Sequence, residues 1–112
     1  MAYVYILKCN NNSYYTGFST DIERRLKEHF FGEEMCARHT LKYGVESVEI
    51  VWETPDKTSA LKLEKYIKSL TVAKKEDLIT NPHKLGINYA TKLNSHDYKV
   101  IQVQSPSQGG KR

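Results

Sequence analysis

Tyr3-Val4-Tyr5-Ile6-Leu7-Lys8-Cys9, then Asn10-Asn11-Asn12, then Ser13-Tyr14-Tyr15-Thr16-Gly17: two segments rich in tyrosine and branched residues flank three asparagines. Asparagine tolerates left-handed backbone conformations, so the pattern predicts an antiparallel hairpin closed by a three-residue loop. The connection is too short for a crossover between parallel strands. Gly17 is read as closing the second strand at a point where a side chain is unwelcome.

Outward from the hairpin, Thr20-Asp21-Ile22-Glu23 fits a capping box, in which a hydroxyl and a carboxylate satisfy free amides at a helix start. The helix is expected to run to about Phe31, with Ile22, Leu26 and Phe30 as its core stripe. Gly32 to Gly44 is less regular and holds at most a short helix or turn. Val48, Ile50 and Trp52 alternate with Glu49, Val51 and Glu53 in a third strand that ends before Pro55. A second clear helix starts near Thr58, with Ala60, Leu63, Ile67 and Leu70 on one face. Val72 to Thr80 reads as a shorter helix stopped by Asn81-Pro82.

The resulting string is β-β-α-(α)-β-α-α. It predicts an α+β fold in which a small, mainly antiparallel three-stranded sheet is flanked by helices. Residues 1–93 are read as one domain and 94–112 as a polar, flexible tail, since Ser105-Pro106-Ser107-Gln108-Gly109-Gly110 carries nothing to bury.

Composition narrows the function less than it narrows the fold. No apolar run approaches the ~18 residues of a membrane span. The N-terminal residues lack the leader pattern of a signal peptide. Only Cys9 and Cys36 occur, without metal-type spacing, so free thiols in a reducing cytoplasm are the simpler expectation. The net charge of +4 hints at a polyanionic partner, but Lys99, Lys111 and Arg112 against Asp97 supply half of it. A solvated mixed surface explains the remainder equally well.

Three groups could carry chemistry. Arg25 and His29 lie one helical turn apart, at one edge of the apolar stripe, where they can border a cleft. An ordinary helix surface is the default reading for such a pair, and Arg24, Lys27 and Glu28 read as solvated charges on the outer face. Glu64 falls at the boundary of a buried helix face, where an unpaired carboxylate is costly. A structural salt bridge from Glu64 to Arg25 or to a lysine is its bland alternative. The tyrosines suit a sheet by propensity alone, and a phenol is a poor base at neutral pH without help. The phosphate-loop, dinucleotide-binding and zinc-peptidase motifs are absent. So is the acidic cluster that holds two metals. A single Mg²⁺ on one carboxylate and several waters remains compatible.

Tyr3-Val4-Tyr5, Tyr14-Tyr15-Thr16-Gly17, Arg25, His29 and Glu64, in that order and spacing, resemble the GIY-YIG nuclease domain over roughly Ala2 to Ile79. Asp21-Ile22-Glu23-Arg24-Arg25-Leu26-Lys27-Glu28-His29 and Glu64-Lys65-Tyr66-Ile67-Lys68-Ser69-Leu70 are similar to the small stand-alone bacterial members. Tyr3-Val4 and Thr16 depart from the letters that name the family, at positions that support backbone and packing. The resemblance implies a metal-dependent endonuclease that hydrolyses phosphodiester bonds in DNA, in repair or recombination. It implies that Glu64 holds one divalent cation, Mg²⁺ or Mn²⁺, and that Tyr5, helped by Tyr15, orients or deprotonates the attacking water. Arg25 would offset charge on the phosphate, His29 would assist with the proton or the phosphate, and Gly17 would lie close to the substrate. Asn88, after Gly86-Ile87, would stand in for a late asparagine found in some members. Apart from the resemblance, a protein partner that supplies specificity is expected, with the chain a monomer or weak dimer. The alternatives are a nucleic-acid-binding module of the same fold with little or no turnover, and a purely structural role in which Glu64 pairs with Arg25.

Overall fold

The odd and even positions of the first strand bury on opposite sides of one sheet, and this division places every functional group discussed below. The structure, a computed structural model, describes residues 1–33, 37–85 and 95–106, apart from the side chains of Lys84 and Ser95. Its elements are β1 (Ala2–Cys9), β2 (Tyr14–Ser19), α1 (Ile22–Phe30), α2 (Arg38–Tyr43), β3 (Val45–Thr54), α3 (Lys57–Lys68), α4 (Val72–Thr80) and β4 (Lys99–Ile101). The sheet is antiparallel throughout, in the order β2-β1-β3-β4.

The hairpin forms as its sequence predicts. Cys9 N–H donates to the Ser13 carbonyl at 2.8 Å and Asn12 N–H to the Cys9 carbonyl at 2.9 Å. Asn10–Asn12 are thereby left as the loop, with Asn12 at φ 69. Asparagine accepts that left-handed conformation more readily than most residues. β2 does not end at Gly17, however, but continues through it to Ser19.

Side chains alternate across a strand, so Val4 and Ile6 of β1 join Ile50 and Trp52 of β3 beneath Ala60, Leu63 and Ile67 of α3 and Leu78 of α4. Tyr5 and Leu7, with Val51, pack instead against Ile22 and Leu26 of α1. Helices thus cover both faces of the sheet. Tyr14 ties the first layer to α4 by donating from its hydroxyl to Glu76 at 3.0 Å.

Two further sequence expectations need correction. The sheet has four strands rather than three. Lys99–Ile101, inside the stretch read as a polar tail, pairs with Glu53, Trp52 and Val51. Tyr98 anchors this segment by donating to the Ser59 carbonyl at 2.9 Å, while Ile101 and Val103 pack on the α1 side. Three residues are too few to show a strand period against polar neighbours. The expected boundary at 93/94 lies outside the described residues. The cap of α1 is also one residue later than the capping box predicts. Asp21, not Thr20, accepts from Arg24 N–H, and Ser19 Oγ accepts from Asp21 N–H at 2.9 Å. A carboxylate at the positive end of a helix is a stronger acceptor than a hydroxyl. α3 and α4 are capped in the ordinary way by Asp56 and Thr71.

Candidate active site

Tyr5 lies on the α1 side of the central strand, opposite Gly17 of β2. A Cβ on Gly17 would stand 2.6 Å from the Tyr5 hydroxyl oxygen and 2.8 Å from its ring. The phenol therefore occupies the space a side chain would take, and Gly17 is required by close approach rather than by backbone conformation. The Tyr15 ring lies alongside, its centroid 6.5 Å from that of Tyr5.

His29 is buried behind these rings, at 1% exposure. Its Nε2 is 2.7 Å from the Tyr5 hydroxyl, and its Nδ1 is 2.8 Å from Thr40 Oγ1. The Thr40 hydroxyl donates to the Ala37 carbonyl at 3.0 Å, so it can only accept from His29. That assigns the imidazole proton to Nδ1 and leaves the Nε2 lone pair facing the phenol. Tyr5 is the donor. Burial, with the Arg25 charge adding to it and Glu28 opposing, pushes the His29 pKa down to about 4. The ring is neutral at physiological pH.

Burial raises the Tyr5 pKa well above that of an ordinary phenol. The neighbouring Tyr15 adds to the shift, and the Arg25 guanidinium opposes it by charge and by hydrogen bonding. The resting state is therefore a protonated phenol. Arg25 in turn loses something to burial, but the hydrogen bond to Glu28 and the proximity of Tyr5 more than restore its charge. Arg25 Nη1 is 2.8 Å from Glu28 Oε1, and Arg24 Nη1 is 2.9 Å from Glu28 Oε2. Glu28 is buried, so its reading as a solvated surface charge is wrong: it lies between two guanidinium groups. The hydrogen bond from Arg25, against the opposing effect of burial, holds its carboxyl below the usual carboxylate range. An open cleft of about 360 Å³ adjoins Arg25, lined also by Ser19, Thr20, Arg24, Glu28 and Lys57.

Glu64 comes from the other layer. It sits on α3, its side chain 15% exposed, with Lys68 Nζ at 3.4 Å from Oε2. Of the two bland partners considered for it, a lysine is the one observed. Its negative charge nevertheless contributes to raising the Tyr5 pKa, so the carboxylate acts on the phenol electrostatically. Tyr5, Tyr15, Arg25 and His29 thus form one cluster, and Glu64 approaches it from α3. Among the described residues no three His, Cys, Asp or Glu side chains group together as a metal cage. One partly exposed carboxylate fits the lighter demand of Mg²⁺, which keeps most of its waters and takes oxygens from its substrate. Asn88 lies outside the described residues.

Sequence reasoning missed Thr40 and misjudged Glu28. Thr40 falls in the irregular stretch and belongs to no periodic pattern. Glu28 is recognisable only once two arginines are seen to converge on it.

The family model for the GIY-YIG catalytic domain matches residues 1–77. The chain belongs to the GIY-YIG family. It is 40% identical over 78 residues to the UPF0213 protein BH0048 of Halalkalibacterium halodurans, covering 70% of this chain and 81% of that one. It is 45% identical over 78 residues to the UPF0213 protein HQ_3675A of Haloquadratum walsbyi, covering 68% and 83%. A third relative, the UPF0213 protein CPE1444 of Clostridium perfringens, is 37% identical over 95 residues, covering 84% and 99%. Among solved structures, the solution NMR structure of UPF0213 protein BH0048 from Bacillus halodurans shares 35% identity and covers 80% of this chain and 98% of its own, at a TM-score of 0.47. These GIY-YIG relatives are small proteins, and their names say nothing of what they act on. No described helix of the GIY-YIG chain is long and apolar enough to cross a membrane.

Proposed function

We propose that the protein is a metal-dependent endonuclease that hydrolyses phosphodiester bonds in DNA. The observation that carries this reading is the 2.7 Å hydrogen bond from Tyr5 to a buried, neutral His29 whose tautomer Thr40 fixes. A protonated phenol cannot act as a base. Passing its proton to His29 Nε2 in the same step makes it one: its oxygen takes a proton from water as that water attacks phosphorus. The phosphorus–oxygen bond opposite the entering water breaks, the departing oxygen is protonated from solvent, and the proton left on His29 returns to solvent by way of Tyr5, which restores the neutral pair. Tyr15, beside Tyr5, helps hold the water. Arg25 offers a guanidinium, oriented by Glu28, to the oxygen on which charge develops. Glu64 would hold one divalent cation, Mg²⁺ or Mn²⁺, and that ion would supply further positive charge at the phosphate. His29, being buried, serves the proton of Tyr5 and not the phosphate. The cleft bounded by Arg24, Arg25 and Lys57 suits a neighbouring backbone phosphate.

DNA repair or recombination is the setting proposed for this activity, and the buried free thiol of Cys9 suits a reducing cytoplasm. A second reading, a nucleic-acid-binding module with little or no turnover, is favoured by the 1% exposure of Tyr5. One assay separates the two. Duplex, branched and single-stranded DNA are incubated with Mg²⁺ or Mn²⁺ and either wild type or Glu64→Ala, the fold of each being checked by circular dichroism. The nuclease reading expects nicks or cuts from wild type and a loss of ~10²–10³ or more in rate from Glu64→Ala. Equal cleavage by both overturns it. Salt-sensitive binding without product leaves the binding module.

A further inference from the structure

α2 carries two pairs of side chains one turn apart, His39 with Tyr43 and Arg38 with Lys42. The first pair continues the aromatic cluster of the candidate site. The Tyr15 ring centroid is 5.2 Å from that of His29 and 5.9 Å from that of His39, and His39 is 4.9 Å from Tyr43. Ser13 Oγ, 2.8 Å from His39 Nε2, fixes the middle ring. Lys42 Nζ stands 5.2 Å from the Tyr43 centroid. Tyr15, His39 and Tyr43 are all half-buried, so each keeps part of its surface open to solvent. Arg38 and Lys42 are exposed, and neither takes part in an ion pair among the described residues.

Rings and exposed cations in one row are what a strand of nucleic acid requires. Bases stack on aromatic faces, and flanking cations follow the phosphates. In a duplex the base faces are covered by their neighbours, so such a row can be occupied only by unpaired bases. We infer that Tyr15, His39 and Tyr43, flanked by Arg38 and Lys42, form a stacking subsite for unpaired bases of a DNA strand leading away from the scissile phosphate. The inference rests on the proposed function for which end of the row meets the reacting phosphate. It names the substrate feature that function leaves open, a single-stranded segment beside the cut.

The test is binding without metal. Fluorescence anisotropy in EDTA compares a labelled blunt duplex with duplexes of equal length that carry a single-stranded extension on one end or the other. Tyr43→Ala is expected to weaken binding of an extended duplex roughly 5- to 150-fold, since one base stacked on one ring is worth ~1–3 kcal/mol. Blunt-duplex binding should change less than about twofold, and Tyr43→Phe should restore the loss because stacking needs the ring and not the hydroxyl. Replacing the extension by abasic nucleotides should weaken wild type comparably, an arm that needs no variant to fold. Equal weakening on blunt and extended DNA overturns the subsite, as does an abasic extension that binds as tightly as a normal one. With metal excluded, these outcomes count against the subsite alone, and an absence of cleavage with metal counts against the nuclease reading alone.

Discussion

The Tyr5 hydroxyl and His29 Nε2 stand 2.7 Å apart, joining residues separated by 24 positions in the chain. Each shifts away from its ordinary pKa toward the neutral form, the phenol upward and the imidazole downward, chiefly through burial. These shifts oppose charge separation within the pair, so in the proposed mechanism the phenol gives up its proton only as its oxygen gains one from the attacking water. Removing either partner should therefore remove the same step. Tyr5→Phe and His29→Gln are each expected to lower kcat by ~10²–10⁴ with little change in KM. The double variant should be scarcely slower than the worse single one, because groups acting as a unit are not additive. Steady-state cleavage kinetics on the four proteins decide it, and multiplicative losses would place the two residues in separate roles.

The buried imidazole also sets a pH dependence. His29 titrates near 4 in the folded chain, against about 6.5 in an unfolded one. Between those values the unfolded state binds more protons, so stability rises with pH across the window. The contribution is fully present above about 6.5 and is lost as pH falls through 4, amounting to about 3 kcal/mol. Urea unfolding between pH 7 and pH 4 should show this loss in wild type and a flatter curve in His29→Gln. Cleavage should likewise lack an acid limb near pH 6.5. A limb found there would mean that the ring is solvated and titrates normally.

Gly17→Ala tests the packing that frees the phenol. A methyl group 2.6 Å from the Tyr5 hydroxyl oxygen must displace the ring, and with it the bond to His29. Overpacking of this kind costs typically ~1–3 kcal/mol. Cleavage should fall at least as far as in Tyr5→Phe, while the protein remains folded by circular dichroism. Full activity in Gly17→Ala would show that the hydroxyl need not occupy its observed place.

Thr16 supplies a prediction of the opposite sign. It is 3% exposed, and its Oγ1 has no hydrogen-bond partner among the described residues. An unsatisfied buried hydroxyl costs ~1–3 kcal/mol, and Val has the same shape without it. Thr16→Val is expected to raise Tm by several degrees and leave cleavage unchanged. A lower Tm would reveal a partner for that hydroxyl, such as an ordered water.

These residues also mark how far the chain could be read from its letters. The hairpin was legible because three asparagines admit few backbone solutions. The bounds of α4 were legible because Asn81-Pro82 stops a helix and Val72 to Thr80 holds nothing that would. The cap of α1 was not, because Thr20 and Asp21 are both good caps and only the Ser19 hydroxyl, engaged by Asp21 N–H, settles the position. β4 escaped because pairing with β3 decides it, not its own pattern. Tyr5, Tyr15, Arg25 and His29 were named from a family likeness, and the structure gathers them. Thr40, which fixes the imidazole, and Glu28, which joins two arginines, depend on contacts that no spacing rule anticipates.

Glu28 yields the last expectation. Its two oxygens accept from Arg24 and Arg25 at 2.9 and 2.8 Å, which orients the Arg25 guanidinium toward the Tyr5 hydroxyl. Glu28→Gln preserves the shape but can no longer accept through both oxygens or balance two positive charges. Breaking one partner of a buried ion pair costs up to ~3–5 kcal/mol, and the partial solvation of Arg24 and Arg25 places this case well below that. The loss of orientation at Arg25 should appear as a decrease in kcat of about 10-fold or more, since a misplaced guanidinium is felt chiefly in the transition state. Glu28→Asp should recover part of the rate, because it restores the charge at a shorter reach. Stopped-time cleavage assays at saturating DNA, paired with urea unfolding, separate the two effects. A variant that loses stability but keeps kcat would confine Glu28 to holding α1 together.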